Sequence, residues 1–94
     1  MARGLTPSQR AVYNALRTLT AQIIRRAAIP ERVVAQELGV TQGMISGTLN
    51  GRMTSAVTLM EIARVIMSAI SPDDQRALQE ELDHVVPLIR KPRR

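Results

Sequence analysis

The chain has 94 residues, of which 45% are apolar, and a formal net charge of +5; these values fit one small domain and exclude a disordered tail or a multidomain enzyme. Cysteine is absent, which excludes disulfides and thiolate metal sites. No apolar run approaches the roughly 20 residues that cross a bilayer, and the first residues lack the apolar core of a signal peptide, so a cytoplasmic protein with no membrane partner is expected.

The first two predicted helices have clear boundaries. Thr6-Pro7-Ser8-Gln9 combines a hydroxyl cap, a proline and a glutamine three residues after the cap, which is typical of a helix start. A long first helix of about 20 residues then carries an apolar stripe formed by Val12, Leu16, Leu19, Ile23 and Ala27. Pro30 suits the first position of a second, short helix, and Gly39 ends that helix. The inward face of the second helix is formed by Val34, Ala35 and Leu38.

Three further helices follow. Thr41 is the expected N-cap of a short helix from Gln42 to about Asn50, with Ile45 and Leu49 inward. Thr54-Ser55 precedes a fourth helix, whose stripe consists of Leu59, Ile62, Ala63, Ile66 and Ile70. Ser71-Pro72-Asp73-Asp74 starts a fifth helix, predicted over residues 72–89, in which Leu78, Leu82, Val85 and Ile89 face inward and Pro87 is expected to end or kink the helix. No segment alternates with period two, so the fold class is all-α with five helices.

Positive charge is concentrated at the two ends of the chain. Residues 1–52 carry seven arginines and two acids, whereas residues 53–89 carry two arginines and six acids; the basic tail 90–94 adds four positive charges. Arginine forms bidentate hydrogen bonds with phosphates and guanine edges. This distribution favours a polyanion as the partner of one face, and solvated surface charge is the alternative.

The segment from Glu31 to Asn50 (ERVVAQELGVTQGMISGTLN) contains two short helices separated by a tight turn. Ala35 is small where the helices would touch, and Gly39 permits a left-handed turn. Apolar residues at Val34, Leu38, Val40 and Ile45 would fill the junction from beneath. This pattern predicts a helix-turn-helix motif over residues 31–50.

Here the chain resembles the phage Cro and repressor family of DNA-binding domains, the XRE group. The resemblance covers roughly residues 25–70, about half the chain, through Ala35-x-x-x-Gly39-Val40, Ile45-Ser46-x-x-Leu49-Asn50-Gly51 and Thr58-Leu59-x-x-Ile62-Ala63. It implies a single five-helix, lambda-repressor-like domain over residues 1–94, in which residues 42–50 form the recognition helix in the major groove of double-stranded DNA. The resemblance thus implies a sequence-specific transcription regulator, most simply a phage or prophage repressor that binds an inverted repeat as a homodimer.

The outward positions of the recognition helix carry no charge. They are Thr41, Gln42, Gly43, Ser46, Gly47 and Asn50, and we expect them to contact bases. Glutamine and asparagine bond bidentately to adenine, and a threonine methyl packs on thymine, so A·T pairs are favoured. Two glycines in one helix indicate either close backbone approach to DNA or a tolerated weak helix.

Phosphate contacts are expected from arginines near the motif: Arg25, Arg26, Arg32 and Arg52. Surface solvation is the alternative for each of them. Family members often begin the first motif helix with a glutamine that touches a phosphate, whereas this chain has Glu31 there. A carboxylate repels phosphate, so Arg32 is a candidate to replace that contact. The early start of the first helix leaves Val12, Tyr13 and Leu16 as either core or a subunit contact.

The fifth helix either caps its own core or pairs with a second subunit; we favour a homodimer whose interface lies mostly on this helix, through Leu78, Leu82, Val85 and Ile89. The length and C-terminal helix are also similar to those of lambda cII-type activators, which act as tetramers, and an acidic helix near RNA polymerase would suit activation. Two further hypotheses are a helix-turn-helix antitoxin, whose main partner is a toxin protein, and a helical dimer without DNA affinity. His84 has neither a cysteine nor a glycine-rich phosphate loop to accompany it, so the sequence predicts no enzyme and no cofactor.

Overall fold

The computed structural model describes residues 6–89, and it describes the side chains of residues 6–87. The predicted basic tail 90–94 lies outside the described residues. Within residues 6–89 the chain is all-helical, as predicted, and contains no strand. The helices are α1 (Pro7–Arg26), α2 (Glu31–Leu38), α3 (Gln42–Leu49), α4 (Ala56–Ile66) and α5 (Pro72–Ile89), with a 3₁₀ turn at Met67–Ala69 between α4 and α5. None of the helices in this range combines the length and apolar character that a bilayer crossing needs.

The start of α1 is the predicted capping box. The Thr6 hydroxyl accepts a hydrogen bond from the Gln9 backbone N–H at 3.2 Å, and the Thr6 backbone N–H donates to Gln9 Oε1 at 3.0 Å. Two of the free N–H groups at this end are thereby satisfied. The predicted apolar stripe is correct except at its end, because Ala27 follows the last turn of α1 and is exposed.

The links on either side of α2 are short and are closed by backbone hydrogen bonds. Ile29 N–H donates to the Ile24 carbonyl after α1, and Val40 N–H donates to the Ala35 carbonyl after α2. Both helices therefore end with a hydrogen bond from a backbone N–H to the carbonyl five residues earlier, which is the pattern of a Schellman motif. The expectation that Pro30 is the first helical residue of α2 is wrong: Pro30 has extended dihedral angles and is the N-cap, so α2 begins at Glu31.

In the second half of the chain, the expectation that Ile70 belongs to the fourth helix is wrong. The predicted bounds of the fifth helix, 72–89, are confirmed, and of the two alternatives for Pro87 the structure excludes that it ends the helix. The α4 helix stops at Ile66, and Ile70 lies after the 3₁₀ turn in an extended conformation. Pro87 lies inside α5, which continues to Ile89. Proline at this position removes one N–H donor, but only the last turn follows it, so little helix is left to disrupt.

The core is built by all five helices, and α5 closes it against α1 and α4. Leu16, Ile23, Ile45, Leu59, Ile62 and Leu78 are completely buried. The predicted oligomer contacts of α5 are wrong for three residues, because Leu78, Leu82 and Val85 are at most 2% exposed and pack inside their own chain. The fourth, Ile89, lies outside the residues whose side chains are described. Tyr13 and Leu16 are core residues as well, and Val12 is partly buried against the core.

Candidate nucleic-acid interface

The helices α2 and α3 are joined by the three residues 39–41. Gly39 has φ 71°, a left-handed conformation that glycine adopts without steric cost. Thr41 is the N-cap of α3, and its hydroxyl accepts a hydrogen bond from the Met44 backbone N–H at 3.1 Å. The predicted turn and cap are therefore confirmed. They define where α3 starts and in which direction it leaves α2.

The exposure of α3 decreases from its first turn towards its end. Thr41, Gln42 and Gly43 are exposed, whereas Ile45, Thr48 and Leu49 are buried. Of the predicted outward residues in the second half of α3, Ser46 is half-buried and Asn50, just after the helix, is exposed. The accessible part of α3 is thus its N-terminal turn, which is the part of a recognition helix that contacts base edges.

Gly47 does not lie on the outer face, and this expectation is wrong. It is buried, and a Cβ atom built on it would lie 2.9 Å from the Met53 sulfur and 3.1 Å from Met53 Cγ. The side chain of Met53 covers Gly47 from the α3–α4 loop, and it is itself 39% exposed. Only Gly43 remains as a glycine on the accessible turn of α3, and a Cβ atom built on it would meet nothing but Thr41 Oγ1, at 3.9 Å.

The C-terminal end of α3 is held by Arg17 of α1, which sequence reasoning missed. Arg17 Nη1 donates a hydrogen bond to the Leu49 carbonyl oxygen at 3.2 Å, and Arg17 Nε donates to Asn14 Oδ1 at 3.4 Å. A cation at this end stabilises the negative end of the helix dipole. Nothing local in the sequence signals the contact, because the two bonded residues are 32 positions apart.

The loop after α3 is fixed by Tyr13, also on α1. The Tyr13 hydroxyl donates to the Met53 carbonyl oxygen at 3.4 Å and accepts from the Ser55 backbone N–H at 3.3 Å. Asn50 Oδ1 accepts a hydrogen bond from the Arg52 backbone N–H at 3.1 Å, which orders the turn that carries the Arg52 side chain. Both ends of α3 are therefore held by side chains of the same domain.

The four arginines predicted to contact phosphate have different surroundings. Arg26 Nη2 lies 2.8 Å from Asp74 Oδ1, so its guanidinium is paired with the start of α5. Arg25, Arg32 and Arg52 are exposed and form no ion pair with a carboxylate of residues 6–89. Among the predicted set, these three are the ones whose charge is available to a polyanion.

An open groove of about 540 Å³ runs between α1 and α3. Its walls include Arg17, Gln22 and Arg25 of α1 and Ser46 and Asn50 on the α3 side. Glu31, the first residue of α2, also lines the groove and is half-buried, so one carboxylate lies beside the two arginines. The groove was not predicted, because it depends on how α1 crosses α3.

Several exposed acidic residues lie on α5, away from α3. Asp73, Glu80 and Asp83 are exposed on α5, and α3 makes no contact with α5. The basic helix α1, in contrast, packs directly against α5, where Arg26 pairs with Asp74.

Comparisons with models of protein families, with curated proteins and with solved structures found no match to this chain.

Proposed function

We propose that this protein is a sequence-specific double-stranded DNA-binding protein that regulates transcription, with α3 as its recognition helix. The observation that carries the proposal is the N-terminal turn of α3, where Thr41, Gln42 and Gly43 are exposed and uncharged. Such residues read base edges by hydrogen bonds and methyl contacts and do not simply attract phosphate.

The rigid support of α3 is the second argument for base readout. Thr41 caps its start, Arg17 holds its end, and Ile45 and Leu49 anchor one side in the core. Hydrogen bonds to bases discriminate only when their donors and acceptors are held in place. Free arginines at Arg32 and Arg52 would add contacts to the phosphate backbone, which increase affinity for every sequence.

A dimer on an inverted repeat, as in phage-type repressors, is part of this proposal. The dimer contact must use a surface other than Leu78, Leu82 and Val85, since these residues are buried within one chain. The large apolar side chains that are exposed among the described residues are Val33, Met53 and Val57.

The test is selection of bound sequences from random duplex DNA, carried out with the parent protein and with Gln42→Ala. We expect an inverted repeat for the parent and a relaxed preference at one position per half-site for the variant, with a loss of about 1–3 kcal/mol on the selected site. Gln79→Ala is the matched control, because Gln79 is exposed on α5 and α5 does not touch α3. An unchanged consensus and affinity for Gln42→Ala would remove Gln42 from base readout.

Arg52→Ala tests the backbone contact separately. If Arg52 meets only phosphate, its loss weakens all duplexes by the same factor and lowers the slope of log affinity against log salt by about 0.9. The parent must first bind duplex DNA with a salt-dependent affinity. A parent that binds no duplex at any salt concentration would contradict the proposed function as a whole.

A further inference from the structure

The groove between α1 and α3 has no role in base readout by the first turn of α3. We propose that it holds one strand of the DNA backbone, with a phosphodiester group paired to Arg25. This inference rests on the proposed function and extends the DNA contact from the helix-turn-helix onto α1.

The groove is lined by both polar and apolar residues. Its polar residues include Arg17, Gln22 and Arg25 on α1 and, four residues apart on the α3 side, Ser46 and Asn50, while Ala21, Ile24 and Leu49 are among its apolar residues. The walls therefore present guanidinium, amide and hydroxyl groups, all of which donate hydrogen bonds to phosphate oxygens. The groove, with a volume of about 540 Å³, is open to solvent and is not an enclosed cavity.

The charge of the groove is positive despite Glu31. Arg17 and Arg25 both line it, against one carboxylate. The guanidinium of Arg17 already donates to Leu49 and Asn14, whereas Arg25 forms no ion pair with any acid of residues 6–89. Arg25 is therefore the cation in the groove that is free to take a phosphate, and its neighbour Arg26 is not, because Arg26 pairs with Asp74.

The position of the groove argues for a DNA strand as its occupant. Ser46 and Asn50 belong to its wall, and both are among the residues expected to face DNA. A helix that lies in the major groove has a phosphate strand on each side, so the surface directly beside α3 is where such a strand passes. A free nucleotide is the competing occupant, but small-molecule sites usually enclose most of their ligand, and this groove is open to solvent.

The first experiment compares the parent, Arg25→Gln and Arg64→Gln on a duplex selected by the parent and on an unrelated duplex. Arg64 is the matched control, since it is also exposed, forms no ion pair with an acid of residues 6–89 and does not line the groove. We expect Arg25→Gln to weaken binding roughly tenfold on both duplexes and to lower the salt slope by about 0.9. Arg64→Gln should change affinity by less than about twofold.

The second experiment replaces single phosphates of the selected duplex with neutral methylphosphonates. One position per half-site should weaken the parent roughly tenfold and have no further effect on Arg25→Gln, because the variant has already lost that contact. Equal effects on parent and variant at every position would overturn the inference while leaving base readout by Gln42 intact. So would a rise in melting temperature with millimolar AMP that Arg25→Gln abolishes, since the groove would then be a nucleotide site. A parent that binds no DNA would overturn both proposals.

Discussion

Single residues in and around α3 show how differently one residue type can be used. Gly39 has a left-handed backbone, Gly47 leaves room for the Met53 side chain that lies over it, and Gly43 has neither feature in the free protein. The sequence presents Gly43 and Gly47 as an equivalent pair. They differ because Met53, six residues beyond Gly47 and in another element, folds back onto only one of them.

Gly43→Ala distinguishes an effect on folding stability from an effect on DNA binding. The added methyl group meets open space, and alanine favours helix, so we expect the free energy of unfolding to rise by about 0.5–1 kcal/mol. If the backbone of α3 comes close to DNA at this point, the same methyl group weakens DNA binding. Thermal unfolding and DNA titration of one variant measure both effects. A more stable variant with unchanged affinity would mean that Gly43 is a tolerated weak helix former.

At the scale of the helices, α1 and α2 end in the same hydrogen-bond arrangement with different residues. Gly39 follows α2 with φ 71°, whereas Ala28, at the equivalent place after α1, has φ 56°. A left-handed conformation costs a residue with a Cβ atom about 1–2 kcal/mol. The turn between α1 and α2 is therefore strained at Ala28, whereas the turn between α2 and α3 is not strained at Gly39.

Ala28→Gly should relieve that strain. Glycine also loses more conformational entropy on folding, by about 0.4–1 kcal/mol, so we expect a net rise in the free energy of unfolding of about 0.5–1 kcal/mol. Gly39→Ala is the reverse substitution in the same motif and should lower stability by a similar amount. Denaturant titration of both variants measures the pair. A loss of stability in Ala28→Gly would show that the left-handed turn at Ala28 costs less than its backbone angle indicates.

At the scale of the whole molecule, the hydrophobic core is complete within one chain. The radius of gyration is 13.0 Å, close to the roughly 13 Å of a compact domain of about 100 residues. The apolar side of α5 is buried against other helices of the same chain. The Arg26–Asp74 ion pair joins the end of α1 to the start of α5 at the surface. The core is complete in one chain, so a dimer would be built from its outside.

Leu82→Ala distinguishes core from interface. Leu82 is 2% exposed, so its truncation leaves a cavity, and we expect the free energy of unfolding to fall by about 2–5 kcal/mol at every protein concentration. Val57→Ala, at a side chain 52% exposed, should change stability by less than about 0.5 kcal/mol. Unfolding curves at several concentrations, with sedimentation, provide the measurement. A Leu82→Ala variant that only dissociates a dimer, with its monomer stability intact, would restore α5 as the interface.

The number of helices and most of their boundaries could be predicted from the sequence by itself, because caps, glycine stops and apolar periodicity act between residues at most a few positions apart. Thr6, Gly39, Thr41 and Ser71 accordingly lie at the boundaries where the sequence predicts them. Which residues pack against each helix was decided only by the tertiary structure. The contact of Arg17 with Leu49 and the pairing of Arg26 with Asp74 join residues 32 and 48 positions apart. An apolar face or a free arginine has the same local sequence whether it meets its own chain or a partner, so only the packed structure separates Arg25 from Arg26.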